Sequence, residues 1–294
     1  MHILGIDIGA TGIKGAVVDL STGTLVTERR RVPTPDPSTP AAVARVTAGF
    51  VRHFEWTGKI GIGMPGPIKE GKVMTAINMH KSWVGTEAVP LYERATGCRV
   101  RVLNDADAAG VAEMRVGAGR GEKGVVVVLT LGTGIGSSLF VDGVLVPNIE
   151  LGQIEIRGKT AEQRASARVR KQRNLTWEQW GKRLDEYLVR LEELTWPDLV
   201  ILGGGASRKA EKFLALLHTR ARVVPARRIH DVVVDQIQRV FGRRRALVDD
   251  EATPLQRRLE ARRTVVRIGI APTAAAGDEL GEGCQNHHPC DQPQ

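Results

Sequence analysis

Apolar positions along the chain fall into short runs that end in glycine. Residues 3 to 8 (Ile-Leu-Gly-Ile-Asp-Ile) predict a buried strand, Gly9-Ala10-Thr11-Gly12 a turn and Ile13 to Leu20 a second strand, with Ser21-Thr22-Gly23 turning into a third. The pattern returns further on. Gly124 to Leu131 predicts another buried strand, Gly132-Thr133-Gly134-Ile135-Gly136 a turn, and Ser137 to Val141 a strand closed by Asp142-Gly143. This approximate internal repeat predicts two related lobes with their glycine turns facing a cleft.

Single strands follow at Lys59 to Gly63, Val100 to Leu103 and Pro197 to Leu202. Thr39-Pro40 reads as a cap and first turn of a helix running to about Phe54, and Thr176 as the cap of one running to about Glu193. In the latter, Trp177, Trp180, Leu184, Leu188 and Leu191 form a core stripe at helical spacing. The charged stretch 160 to 173 predicts a solvated helix. A helix also follows Asp105, and another, from Arg208 to Leu217, follows Gly203-Gly204-Gly205. With Arg115 to Gly121 read as a flexible linker, residues 1–115 form an N-terminal α/β lobe, 116–226 a C-terminal α/β lobe, and 227–294 a separate tail.

Composition narrows the partners. A formal charge of +9 favours polyanions, whether nucleotides, polyphosphate or nucleic acid, against the plainer reading of a generally basic surface. Cys98, Cys284 and Cys290 make no C-x-x-C pair, so neither disulfides nor structural zinc are expected. Met1 to Gly5 leads into a strand without a leader and no run is long enough to span a bilayer, so the expectation is a cytoplasmic protein without a membrane partner.

Asp105 stands where a strand becomes a helix, the position at which open α/β folds bind ligands. It either accepts the proton of a substrate hydroxyl or caps the helix, as Asp107 could. Gly9, Thr11, Gly12 and Lys14 in the first turn, and Gly132, Thr133 and Gly134 in the second, can bring backbone N–H groups, hydroxyls and a cation to phosphates. Gly204 and Gly205 offer the same at a helix start, and Asp7 is the carboxylate to hold Mg²⁺ through water. Asn78 to Trp83 mixes hydrogen-bonding groups with an aromatic, as in a sugar-facing loop. Glu150, Gln153 and Glu155 add two carboxylates and an amide, or else line a surface strand.

Taken together, Asp7 to Lys14, Asn78 to Gly85, Leu103 to Gly110, Thr130 to Gly136 and Gly203 to Gly205 resemble the ROK family of sugar kinases, and in particular its polyphosphate-using branch, over about residues 3–226. The resemblance implies an α/β, two-lobed actin-like ATPase (ribonuclease H-like) fold. It implies phosphoryl transfer from inorganic polyphosphate, and also ATP, to the 6-hydroxyl of glucose with Mg²⁺, in a homodimer. By the same resemblance Asp105 is the general base, Asn78, Asn104, Glu150 and Glu155 hold sugar hydroxyls, and the two glycine turns embrace the phosphates. Such chemistry needs alignment and charge neutralisation more than covalent steps.

Two departures stand out. Gln153 occupies a position where the family usually has His, so it can hydrogen-bond a sugar oxygen but carry no charge. From Arg227 the expected small-residue closing helix is replaced by 68 residues with eleven arginines and no lysine, which read as an out-of-frame segment of a GC-rich gene or as a basic arm. The alternative to an enzyme is therefore a catalytically impaired sugar- and polyphosphate-binding protein. Nucleic-acid binding by the arginines is a weaker reading.

Overall fold

The computed structural model describes residues 1–76 and 78–227; the expected tail, Arg227 apart, lies outside the described residues. Strands β1 (His2–Ile8), β2 (Ile13–Asp19), β3 (Thr24–Leu25) and β4 (Arg30–Val32) precede helix α1 (Pro40–His53). After β5 (Ile60–Met64) and the small ribbon β6 (Ile68–Lys69) with β7 (Lys72–Val73) come α2 (Ala88–Thr96), β8 (Val100–Asn104) and α3 (Asp105–Val116). The sheet runs β3-β2-β1-β5-β8, with β4 also on β2. β1 and β2 are antiparallel, whereas β1, β5 and β8 are parallel.

A second sheet repeats this plan. β9 (Val125–Leu131), β10 (Ile135–Val141) and β11 (Val144–Val146) lead through the ribbon β12 (Glu155–Ile156) and β13 (Lys159–Thr160) to α4 (Ala161–Ala165), α5 (Ala167–Gln172) and α6 (Trp177–Thr195), then β14 (Leu199–Gly203) and β15 (Arg222–Pro225). Its order is β11-β10-β9-β14-β15, again an antiparallel hairpin followed by two parallel strands. The repeat in the hydrophobic pattern is thus a repeat of topology. Both turns are closed by a glycine amide, Gly9 N–H to Gly12 O in the first and, in a turn one residue shorter, Gly132 N–H to Gly134 O in the second.

Strand alternation sorts the core. Val127, Leu129, Leu131, Val200 and Leu202 face Trp180, Leu184, Tyr187, Leu188 and Leu191 of α6. Their neighbours Val126, Val128, Leu199 and Ile201 point the other way, onto Val111 and Met114 of α3. Thr39 and Thr176 cap α1 and α6 as expected, the latter through a full capping box with Gln179.

Three expectations are corrected. Residues 160–173 form two short helices rather than one solvated one, because Ser166 leaves helical geometry to cap α5, while Ala161, Ala165 and Val169 are buried. The segment after α3 is no loose linker, since Ala118 N–H bonds the Glu113 carboxylate and Gly119 N–H the Glu113 carbonyl. Among the described residues after β14 there is no α-helix: Gly205–Lys212 and Leu214–Leu216 are 3₁₀ segments, kinked at Lys209 (φ −123°, ψ 30°), with Ala206, Ala210 and Phe213 packed inward.

Candidate active site

Helix α3 begins at the carboxyl end of β8 and is the element that carries the chemistry. Its N-cap is Asn104, whose buried carbonyl accepts from Ala106 N at 2.8 Å and Asp107 N at 3.0 Å. That leaves only the amide NH₂ of Asn104 for a sugar hydroxyl, and it relieves Asp105 of the capping role. Asp105 Oδ1 accepts from Ala106 N at 2.8 Å, which orients the carboxylate and leaves Oδ2 to accept a proton. Burial pushes the Asp105 carboxyl up to about 7, helped by the charges of Asp7 and Glu150 and opposed by the Ala106 amide. This is the range a base needs near neutral pH.

Asp7, at the end of β1, lies close enough to act on Asp105 and is itself paired with Lys14 across the β1–β2 hairpin at 3.1 Å. Glu150, at the surface of the same cluster, is raised by desolvation and by Asp107 and Glu162. Asp107 is buried and its carboxyl is pushed up to about 6 by that burial. Its Oδ2 accepts from Asn148 N at 3.0 Å.

Asn148 links the loop after β11 to the ribbon strand β6. Held at φ +61°, its side-chain carbonyl accepts from Ile68 N at 2.9 Å and its amide donates to Ile68 O at 3.0 Å. A side chain thus imitates the two hydrogen bonds of a β-bridge, 80 residues apart in sequence, and it fixes the loop two residues before Glu150. Sequence reading missed Asn148, because only the folded chain brings Ile68 to it.

The other predicted sugar residues are less anchored. Asn78 (φ +60°), Gln153 and Glu155 are exposed, and their side chains make no hydrogen bond or ion pair among the described residues. The loop bearing Asn78 is tied down by Trp83, whose buried indole donates to Ser38 O at 2.8 Å.

The glycines separate into two kinds. Gly204 has φ +80°, and a Cβ there would meet the Leu131 backbone at 2.5 Å, so close packing on β9 already requires it. Gly132 and Gly205 instead face open space and line a cavity of about 690 Å³ together with Thr133 and Lys209. Gly134 rests against Glu162, whose carboxylate accepts from Ile135 N at 3.0 Å and so holds the turn. Gly9, Gly12 and Thr11 shape the first turn, with Arg31 donating to Thr11 O at 3.1 Å. Lys14 is engaged by Asp7 and Lys209 reaches the cavity, but the remaining cations there, Arg168, Arg170 and Lys171, come from α5. Their charge was legible in the sequence; their position on the glycine turn, secured by Arg168 N–H to Gly132 O at 3.1 Å, was not.

Among the described residues no group of three His, Cys, Asp or Glu side chains forms a ready metal cage. Mg²⁺ needs no such cage, since it keeps several waters and takes one or two carboxylates plus substrate phosphates. Asp7, beside the first glycine turn, fits that arrangement.

The chain is similar in sequence and in fold to known proteins. The model for the ROK family matches residues 3–147. The polyphosphate glucokinase of Mycobacterium tuberculosis (strain CDC 1551 / Oshkosh) is 48% identical over 226 residues, 76% of this chain and 85% of that protein. The crystal structure of the inorganic polyphosphate/ATP-glucomannokinase from Arthrobacter sp. strain KM superposes with a TM-score of 0.77 at 44% identity, covering 82% of this chain and 99% of that one. A ROK family glucokinase from Streptomyces griseus, in complex with glucose and AMPPNP, shares the fold with a TM-score of 0.70 at 22% identity, over 82% and 99% of the two chains.

Proposed function

The chain belongs to the ROK family, and from that premise we propose that it is a polyphosphate glucokinase, transferring a phosphoryl group from inorganic polyphosphate, and also from ATP, to the 6-hydroxyl of glucose. The observation that carries the reading is Asp105: a carboxylate at a helix N-terminus, oriented by a backbone amide, with its carboxyl raised to about 7. It takes the proton of the 6-hydroxyl as the oxygen attacks the terminal phosphorus of the donor, whose bridging P–O bond breaks to release polyphosphate one unit shorter, or ADP. Asn104, Asn78, Glu150, Gln153 and Glu155 hold the sugar. The glycine turns at Gly9–Gly12 and Gly132–Gly134 receive the phosphates with Thr11, Thr133, Lys14 and Gly205, while Gly204 keeps the Gly205 segment against β9. Asp7 would hold Mg²⁺, which would supply charge neutralisation on the donor phosphates.

Among the described residues no helix is long and apolar enough to cross a membrane. The reading places the protein in the cytoplasm, where glucose and polyphosphate meet, and as a homodimer on the strength of the family.

The direct test is formation of glucose 6-phosphate with Mg²⁺ and either donor. Product from both is expected. Folded protein that binds glucose but yields no product from either donor would leave a sugar-binding protein instead.

A second test concerns the glycines. Gly132→Ala and Gly205→Ala should leave stability within about 0.5 kcal/mol, because the added methyl meets nothing within 4 Å. Each should lower kcat/KM for the donor by about tenfold, about 1.4 kcal/mol, as the methyl enters the space a phosphate would take. Melting curves and donor kinetics decide it; an unchanged donor KM would remove these residues from phosphate contact.

A further inference from the structure

The cavity beside the second glycine turn is walled by Arg168, Arg170, Lys171 and Lys209 and, among the described residues, by no carboxylate. Arg168, Lys171 and Lys209 are exposed and form no ion pair among the described residues. Four cations around one opening repel each other, so the site suits a ligand with several negative charges.

Its aromatic wall argues against a nucleoside as that ligand. Among the described residues Trp177 is the sole aromatic lining the cavity. One face of its ring is covered by the Arg170 guanidinium at 4.0 Å, which also donates to Leu175 O at 3.3 Å. The ring is also stacked on Phe213, with ring centroids 5.9 Å apart and planes 14° from parallel, so a purine would have to displace a partner the ring already has. A bare chain of phosphates needs no such face and gains from every cation along its length.

We propose that the α5 cations form a subsite for the distal part of a long inorganic polyphosphate, downstream of the phosphoryl group that is transferred, and that they select this donor over short polyphosphates and nucleoside triphosphates. The inference rests on the reading of the chain as a polyphosphate-using kinase. Helix α5 is placed for it, since the Arg168 backbone is bonded to Gly132 O and Arg168 and Lys171 line the same cavity as Gly132 and Thr133.

The test compares the full chain with Arg168→Ala/Lys171→Ala, whose changes lie on exposed side chains and leave the Gly132 contact to the backbone. Calorimetry without glucose measures binding of long-chain polyphosphate, tripolyphosphate and ATP at several salt concentrations. The wild type should bind long polyphosphate more tightly than ATP. The double variant should lose about tenfold in affinity for long polyphosphate, with a salt slope smaller by about two. Affinity for tripolyphosphate and ATP should change less than about twofold, and the melting temperature should hold. Equal losses for all three ligands, or no loss for any, would overturn the proposal. Because binding is read without turnover, a chain that binds long polyphosphate through α5 but makes no glucose 6-phosphate would sink the kinase reading, and with it the role in donor selection, while leaving α5 as a polyphosphate-binding surface.

Discussion

Asp105→Asn is expected to lower kcat for glucose phosphorylation by a factor of about 10² to 10⁴ and, at pH 8, to raise the melting temperature. The first effect follows from its role: asparagine keeps the shape and the bond to Ala106 N but cannot take a proton. The second follows from its environment. A carboxyl held at about 7, against an ordinary 3.8, favours the folded state when protonated and opposes it when ionised. The folded chain therefore binds this proton more tightly than the unfolded chain, and stability falls as pH rises from about 4 to about 7, then levels. At roughly 1.4 kcal/mol per pH unit the cost at pH 8 is on the order of a few kcal/mol, which the neutral amide avoids. The gain in melting temperature should shrink as pH is lowered toward 5. In the wild type, kcat/KM should fall about tenfold per pH unit below pH 7. A variant with full activity, or with an equal melting shift at both pH values, would remove Asp105 from the role of base.

Gly110→Val should cost about 3 kcal/mol, a fall of roughly 6 to 12 °C in melting temperature, and should reduce kcat as well. A Cβ at Gly110 would stand 1.8 Å from Ser138 Oγ, 2.8 Å from Ser138 Cβ and 2.9 Å from the Phe140 ring. Rotating the serine cannot clear all three, so α3 must move away from β10. Asp105 opens that helix, and a shift of its axis carries the base with it. Ser138 Oγ is buried without a hydrogen-bond partner, so Ser138→Gly should be tolerated and should restore part of the loss in the double variant. Purely additive effects would show that the contact is not the cause.

Much of this was legible because strands buried on both faces leave an unbroken apolar signature. β1, β9 and β14 were all readable as Val-, Ile- and Leu-rich runs, and the two glycine turns between strands marked the repeat. Thr39 and Thr176 were legible as caps because capping is local. What the sequence hid depends on contacts across the fold. Asn104 and Asp105 are adjacent cap-type residues, and which of them caps α3 depends on where β8 ends, at Asn104 opposite Met64 of β5. Asn148 looks like any loop asparagine until Ile68 lies opposite it. The charged run 160–173 looked solvated because its arginines and lysines outnumber Ala161, Ala165 and Val169, yet those few apolar residues seat it against the second sheet and turn its cations to the cavity. The segment after Gly205 has helical spacing, but packing of Ala206, Ala210 and Phe213 tightens it to 3₁₀.

The duplicated sheets invite the idea that each half could live alone, but helix α3 argues otherwise. It grows from the last parallel strand of the first sheet while Val111 and Met114 complete the core of the second. A chain severed between residues 117 and 124 would leave the leading fragment with a bared apolar helix and the trailing fragment with an uncovered sheet. Each piece would need the other present to become soluble, so the halves are better regarded as complementary fragments than as modules to be shuffled between proteins.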